Sequence, residues 1–183
     1  MKDFAYYNPV RVHFGQDALN ELGGELSAFG KKVLLAYGGG SIKRTGLYDT
    51  VIKVLQDAGK EVFELSGVMP NPRTEKVYEG IQICKENGVD LILAVGGGSV
   101  IDCVKAISVG ARTDRDFWQA FFKNNEPAED AVPFGVVLTI PATGSELDKS
   151  AVITNWATSE KNCYENDWEF PQFSILDPTV TYS

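Results

Sequence analysis

Two unbroken apolar runs, KVLLAY (32–37) and DLILAV (90–95), each end in three glycines and a serine. Runs without polar interruption mark strands covered on both faces, and FGVVLTI (134–140) is a third of this kind. VRVHF (10–14) alternates instead. That pattern predicts a half-buried strand with Val10, Val12 and Phe14 turned inward and Arg11 and His13 outward. EVFEL (61–65) is a weaker strand signal. Between these runs, Val51, Val54, Leu55 and Ala58 recur at helical spacing ahead of Gly59. Val77, Ile81 and Cys84 do the same ahead of Asn87-Gly88, each series ending in a glycine stop. A further helix is expected to begin near Ser99. Beyond Gly144 the pattern loosens, and SAVITNW and FSILD read as strands in a less regular segment. NNEPAEDAVP (124–133) is a polar, proline-bearing loop inside the domain, not a boundary between domains. The alternation of strand and helix predicts an α/β fold, a mostly parallel sheet flanked by helices, in one domain over residues 1–183.

Composition narrows the function classes. Apolar residues make up 44% of the chain and charged residues 23%, the balance of a globular protein. A net charge of −8 leaves no basic stripe for nucleic acid. No apolar run reaches the length of a membrane span, and MKDFAYYNPV carries no secretory signature. The three cysteines, Cys84, Cys103 and Cys163, form neither a disulfide framework nor a metal knuckle, which points to a reducing, cytoplasmic setting. Cys84 reads as a core thiol. Cys103, in the first turn after a glycine loop, reads either as packing or as a thiol of lowered pKa.

The chemistry is concentrated in the two glycine loops. Bare backbone at Gly96, Gly97 and Gly98 lets an anion approach the amides, and the helix start behind them adds unpaired N–H groups and about half a positive charge. A pyrophosphate suits such a place. Ser99 is expected either to cap the helix or to donate to a phosphate. Asp102 is expected to accept from a sugar hydroxyl, since a second anion beside a pyrophosphate would be repelled; the alternative is a capping arrangement with Ser99. The first loop should meet another part of the same ligand. No acid stands near Gly38, Gly39 and Gly40 in the sequence, and Ser41, Lys43 and Arg44 follow them. A hydroxyl and two cations favour a ribose 2′-phosphate, hence NADP(H) over NAD(H). Neither loop fits GxGxxG or the Walker pattern.

NPVRVHFGQDAL, LAYGGGSIKRTG, MPNPR (69–73), LAVGGGSVIDCVKAI, LTIPATGSE (138–146), AVITN (151–155) and FSILDPTVTY (173–182) together resemble the iron-containing (group III) alcohol dehydrogenases. The branch resembled is the NADPH-dependent butanol dehydrogenase and aldehyde reductase type. The resemblance covers essentially the whole chain and implies that family's Rossmann-like, dehydroquinate synthase-like N-terminal domain. It further implies that Gly97, Gly98 and Ser99 hold the pyrophosphate and that Asp102 meets the nicotinamide ribose. Gly38, Gly39 and Ser41 would lie at the adenosine 2′-phosphate. Thr139, Thr143 and Leu176 would border the adenine side, Ser145 and Val152 would approach the nicotinamide, and Lys161 would reach the cofactor ribose. Asp148 departs from the asparagine often found in this branch, and a carboxylate there is expected to weaken cofactor or substrate binding.

The family holds iron or zinc with one aspartate and three histidines in a helical C-terminal domain, whereas this chain has one histidine, His13. His13 is expected at the surface. No catalytic or metal-ligating residue is therefore assigned here, and these residues alone are expected to be inactive without that second domain. The reaction implied is hydride transfer between NADPH and a small aldehyde or primary alcohol, in an enzyme that is homo-oligomeric at full length. Two alternatives remain: a domain of the glycerol dehydrogenase or dehydroquinate synthase kind, and a stand-alone NADP(H)-binding module without chemistry.

Overall fold

The structure is a computed structural model and describes residues 3–182. The unbroken apolar runs form the middle of a six-stranded sheet, because only interior strands have both faces covered. The strands are β1 (Arg11–Phe14), β2 (Lys32–Tyr37), β3 (Glu61–Leu65), β4 (Leu91–Gly97), β5 (Phe134–Ile140) and β8 (Phe173–Leu176), in the order β1-β8-β5-β4-β2-β3. Every pairing in the sheet is parallel. Alternate residues of the central strands feed two cores. Leu34, Ala36, Ile92 and Ala94 pack with α4 (Thr74–Asn87) and α5 (Gly98–Gly110) on one face. Val33, Leu35, Leu91 and Leu93 pack with α1 (Leu22–Leu26), α2 (Ser41–Arg44) and α3 (Leu47–Asp57) on the other. Each buried aliphatic side chain contributes about 1.5–3 kcal/mol, so these strands supply much of the folding free energy.

Helices α4 and α5 approach each other closely at two reciprocal points. A Cβ on Gly80 would stand 2.3 Å from the Ile107 Cδ1, and one on Gly110 would stand 2.4 Å from the Ile81 Cδ1. Each helix thus offers a glycine to the other's isoleucine, whose side chain seats against bare backbone.

Several elements differ from expectation. Strand β1 exists, with Val10 just before it buried and Arg11 exposed as expected, but Val12 is 44% and Phe14 75% exposed, while His13 turns toward α1. There the His13 Nε2 lies 2.7 Å from the Glu25 Oε1, and the Arg11 guanidinium donates to the other oxygen at 2.6 Å. The reason is position. As the edge strand β1 pairs with β8 alone, and the short turns at 18–26 cover only the face that carries His13. Cys103 is buried in the core, and burial pushes its thiol up to about 12, which corrects the reading of a lowered pKa. Cys84 is buried as expected. Three elements carry no clear periodic signal: α1, a π-helical turn at Trp118–Lys123, and β7 (Glu160–Glu165). The π turn is held by aromatic packing, with Trp118 stacked on Phe122 at 5.6 Å. Strand β7 forms an antiparallel pair with β6 (Ser150–Asn155), outside the main sheet.

Behind this hairpin lies a buried polar network. Lys105 of α5 is fully buried and donates to the Asp148 carboxylate at 2.5 Å and to the Ser150 carbonyl at 2.9 Å. Glu169, in the short turn Asp167–Glu169, is also fully buried, and neither of its carboxyl oxygens has a partner among the described residues. Burial holds its carboxyl well above the usual value, with the Lys105 charge opposing and those of Asp102, Asp148 and Glu165 adding. The folded state therefore keeps a proton that the unfolded chain releases near pH 4.3, so stability falls as pH rises from there toward the folded-state value. Glu169→Gln should remove this loss. Its unfolding free energy from urea titration should gain on that of the wild type as pH rises above about 5, by up to about 1.4 kcal/mol per pH unit. A difference constant from about pH 5 to pH 8 would contradict a neutral Glu169.

Candidate functional site

The connection after β2 leaves for the face that carries α3, and the connection after β4 leaves for the face that carries α5. The adjacent strand ends therefore part where the winding reverses, the place where open α/β sheets bind ligands. A cleft of about 390 Å³ opens there. Both glycine loops line it, with Gly38, Gly39 and Ser41 on one side and Gly97, Gly98 and Ser99 on the other. Thr139 and Thr143, from the end of β5 and the loop after it, close a third side. Eight of the thirteen residues singled out in the sequence thus meet in one cleft.

The second loop is built for close approach. Strand β4 passes directly into α5 through Gly97, and no side chain caps the helix. Ser99 therefore lies within the first turn, and neither it nor Asp102 serves as the cap. The amides of a helix's first turn have no intrahelical acceptor, so those of Gly98, Ser99 and Val100 are left for a ligand, while the Ile101 amide is the first to bond back, to Gly97. A Cβ on Gly98 would stand 2.4 Å from the Thr143 hydroxyl oxygen, so only glycine fits beneath that threonine. In the first loop, Gly40 has φ 102, a left-handed conformation that favours glycine. A Cβ on Gly39 would meet nothing within 4 Å, so the cradle is open on that side. Uncapped amides and bare backbone on both walls suit a phosphorylated dinucleotide.

Asp102 fastens the cleft from behind. Its two carboxylate oxygens accept from the Ser145 hydroxyl at 2.7 Å and from the Val152 amide at 3.1 Å, tying α5 to the turn Ser145–Leu147 and to β6. Burial raises its carboxyl above the usual value, while these hydrogen bonds and the Lys105 charge oppose that shift. Asp148 is bound to Lys105, so its charge is compensated and does not face the cleft as an isolated anion. Lys161 stands apart on β7, donating to the Asn71 side chain at 2.7 Å. That contact leads back to the cleft, because Pro70 lines it and the Pro72 carbonyl accepts from the Thr154 amide of β6. Leu176, at the end of β8, packs against the core and does not line the cleft.

Sequence reasoning missed three groups. Val68 and Pro70 line the cleft from the segment after β3, a place only tertiary folding reveals. A recess of about 70 Å³, bounded by Ser41, Thr139 and Val180 to Tyr182, adjoins the first loop. Glu64, absent from the local sequence of the first loop, reaches it from β3: its carboxylate accepts from the Tyr37 and Tyr48 hydroxyls. An acid therefore stands beside this loop in the fold, although none is near it in the sequence.

Removing the Asp102 carboxylate leaves the Val152 amide and the Ser145 hydroxyl without it even before any ligand binds. Asp102→Ala should lower stability by about 1–3 kcal/mol in ligand-free urea unfolding, the cost of an unsatisfied buried donor. An unchanged midpoint would show that these bonds carry no structural role.

Comparison with known proteins agrees with this geometry. Residues 9–178 match the family described as iron-containing alcohol dehydrogenase. A probable NADH-dependent butanol dehydrogenase of Bacillus subtilis (strain 168) is 54% identical over all 183 residues, which correspond to 47% of that relative. The NADPH-dependent aldehyde reductase YqhD of Escherichia coli (strain K12) is 37% identical over the whole chain and again 47% of its own length. Among solved structures, NADH-dependent butanol dehydrogenase A from Thermotoga maritima superposes with a TM-score of 0.93 at 43% identity, covering 99% of this chain and 46% of that one. The chain spans about half the length of the curated relatives it matches. With the switch-point cleft and both glycine loops in place, the chain belongs to the iron-containing alcohol dehydrogenase family.

Proposed function

We propose that this chain is the nicotinamide-dinucleotide-binding part of an alcohol dehydrogenase that interconverts small aldehydes and primary alcohols. The observation that carries the reading is the uncapped start of α5 facing a second glycine loop across the switch point. In this reading the amides behind Gly97, Gly98 and Ser99 take the pyrophosphate. Gly38, Gly39 and Ser41 meet the adenosine sugar, and Thr139 and Thr143 wall the site. Asp102, Ser145 and Val152 shape the nicotinamide end, with Lys161 reaching the ribose and Leu176 backing the adenine side from the core. The cofactor supplies the hydride. Iron or zinc would polarise the carbonyl oxygen, and we place its ligands in the half of the relatives that this chain does not span. In that arrangement the chain binds cofactor without turning substrate over.

For the choice of nucleotide, the relatives divide, with NADH in the name of the one at 54% identity and NADPH in the name of the one at 37%. Ser41 and Arg44 favour a 2′-phosphate, but Lys43 is engaged with two tyrosine rings and Glu64 stands close by. We propose that the site accepts both nucleotides and that NADH is not excluded, a broader reading than the NADP(H) expected from the sequence.

Calorimetric titration with NADH and with NADPH tests the reading. Both should bind, and Gly98→Val should weaken both at least about tenfold, because the added side chain meets Thr143 and covers the amides. Circular dichroism separates this from unfolding. A folded wild-type chain that binds neither nucleotide would overturn the assignment.

A further inference from the structure

The residues that flank the first glycine loop converge on one carboxylate. Tyr37, the last residue of β2, donates its hydroxyl to Glu64 at 2.6 Å. Tyr48, in the first turn of α3, donates to the other oxygen of the same carboxylate at 2.7 Å. The two rings meet edge to face at 5.6 Å. Glu64 comes from β3, which lies beside β2 with Leu35 opposite Glu64. The loop of residues 38–47 is thus stapled at both ends to the neighbouring strand by one side chain.

Lys43 projects from within that loop onto the staple. Its ammonium lies 4.3 Å from the centre of the Tyr48 ring and 5.1 Å from that of Tyr37, a cation over two aromatic faces whose hydroxyls are bound to an anion. The charges support one another. Hydrogen bonds from Tyr37 and Tyr48 hold the Glu64 carboxyl below its usual value, and Glu64 pushes the Tyr48 hydroxyl up to about 12. Lys43 is therefore committed to a cage of its own chain, although Ser41, two residues earlier, lines the cleft.

We propose that Glu64 is a specificity-determining residue, which closes the first glycine loop through Tyr37 and Tyr48 and withholds Lys43 from the 2′ position of the adenosine ribose. The proposal rests on the reading of the cleft as a nicotinamide-dinucleotide site. Discrimination at the 2′ position is then set from a neighbouring strand, by whether the loop's cation is held or released. With the cage intact the loop presents bare backbone and Ser41 and tolerates a 2′-hydroxyl. With the cage open the ammonium is free to pair with a 2′-phosphate.

The test is the ratio of dissociation constants for NADH and NADPH, measured by titration of the 183-residue chain and its variants. Glu64 is exposed, so Glu64→Gln should leave the core intact. It should shift the ratio toward NADPH by about fivefold, the size of one exposed charge contact. Tyr48→Phe opens the same staple without changing any charge and should shift the ratio in the same direction. Adding Lys43→Ala to Glu64→Gln should abolish the shift, because the gain comes from the released ammonium. A ratio unmoved by Glu64→Gln, or a shift that survives the loss of Lys43, overturns the proposal while leaving the cleft assignment standing. A wild-type chain that binds neither nucleotide overturns both.

Discussion

The carboxylate of Asp102 holds together three parts of the chain that sequence keeps far apart. One oxygen takes the Ser145 hydroxyl, the other the Val152 amide, and the side chain itself stands on the second turn of α5. The start of α5 is thereby fixed against the turn after β5 and against the β6–β7 hairpin. The uncapped amides that face the cleft then keep one orientation. Ligand sites gain from such preorganisation, because ordering carried out during folding is not charged again at binding. One turn further along the helix, Lys105 repeats the connection through Asp148 and Ser150. Two polar anchors on α5 thus secure the same hairpin from within the protein.

The general form of the molecule was legible because it follows from burial. Apolar runs at 32–37, 90–95 and 134–140 became interior strands, and the glycine triplets fell at the ends of two of them. Helices α3 and α4 lie where their periodicity placed them. What failed was information that depends on neighbours. The alternation in β1 is real, yet it cannot say which face will be covered, and an edge strand with a partial cover reversed the answer at Val12, His13 and Phe14. β7 shows no apolar stripe because it pairs with one strand only and leaves much of its surface in water. The π turn at Trp118–Lys123 is held by aromatic contacts that no local propensity records.

The candidate site divides along the same line. Residues that act through backbone, such as Gly40 or Gly98, announce themselves as composition, since a left-handed turn or a close approach favours glycine there. Thr139 and Thr143 required a resemblance to be singled out, and they do line the cleft. Glu64 was invisible because its partners, Tyr37 and Tyr48, lie 27 and 16 residues away and meet it only through the pairing of β2 with β3. Electrostatic arguments made from consecutive residues count the charges that are adjacent in sequence. The field at a strand end is set by the next strand as well.

The reciprocal glycines between α4 and α5 carry a consequence beyond packing. Gly80 receives Ile107 and Gly110 receives Ile81, far along α5 from its first turn. A helix seated on its neighbour through an isoleucine against bare backbone behaves as a lever whose fulcrum is that contact. A methyl group inserted there would lift one end of the rod, and its other end is the row of amides at the cleft. Substitutions at a dry, apolar seam on the flank of the domain would then register as altered grip on an anion at the opposite tip, with no charge or hydrogen bond changed along the way.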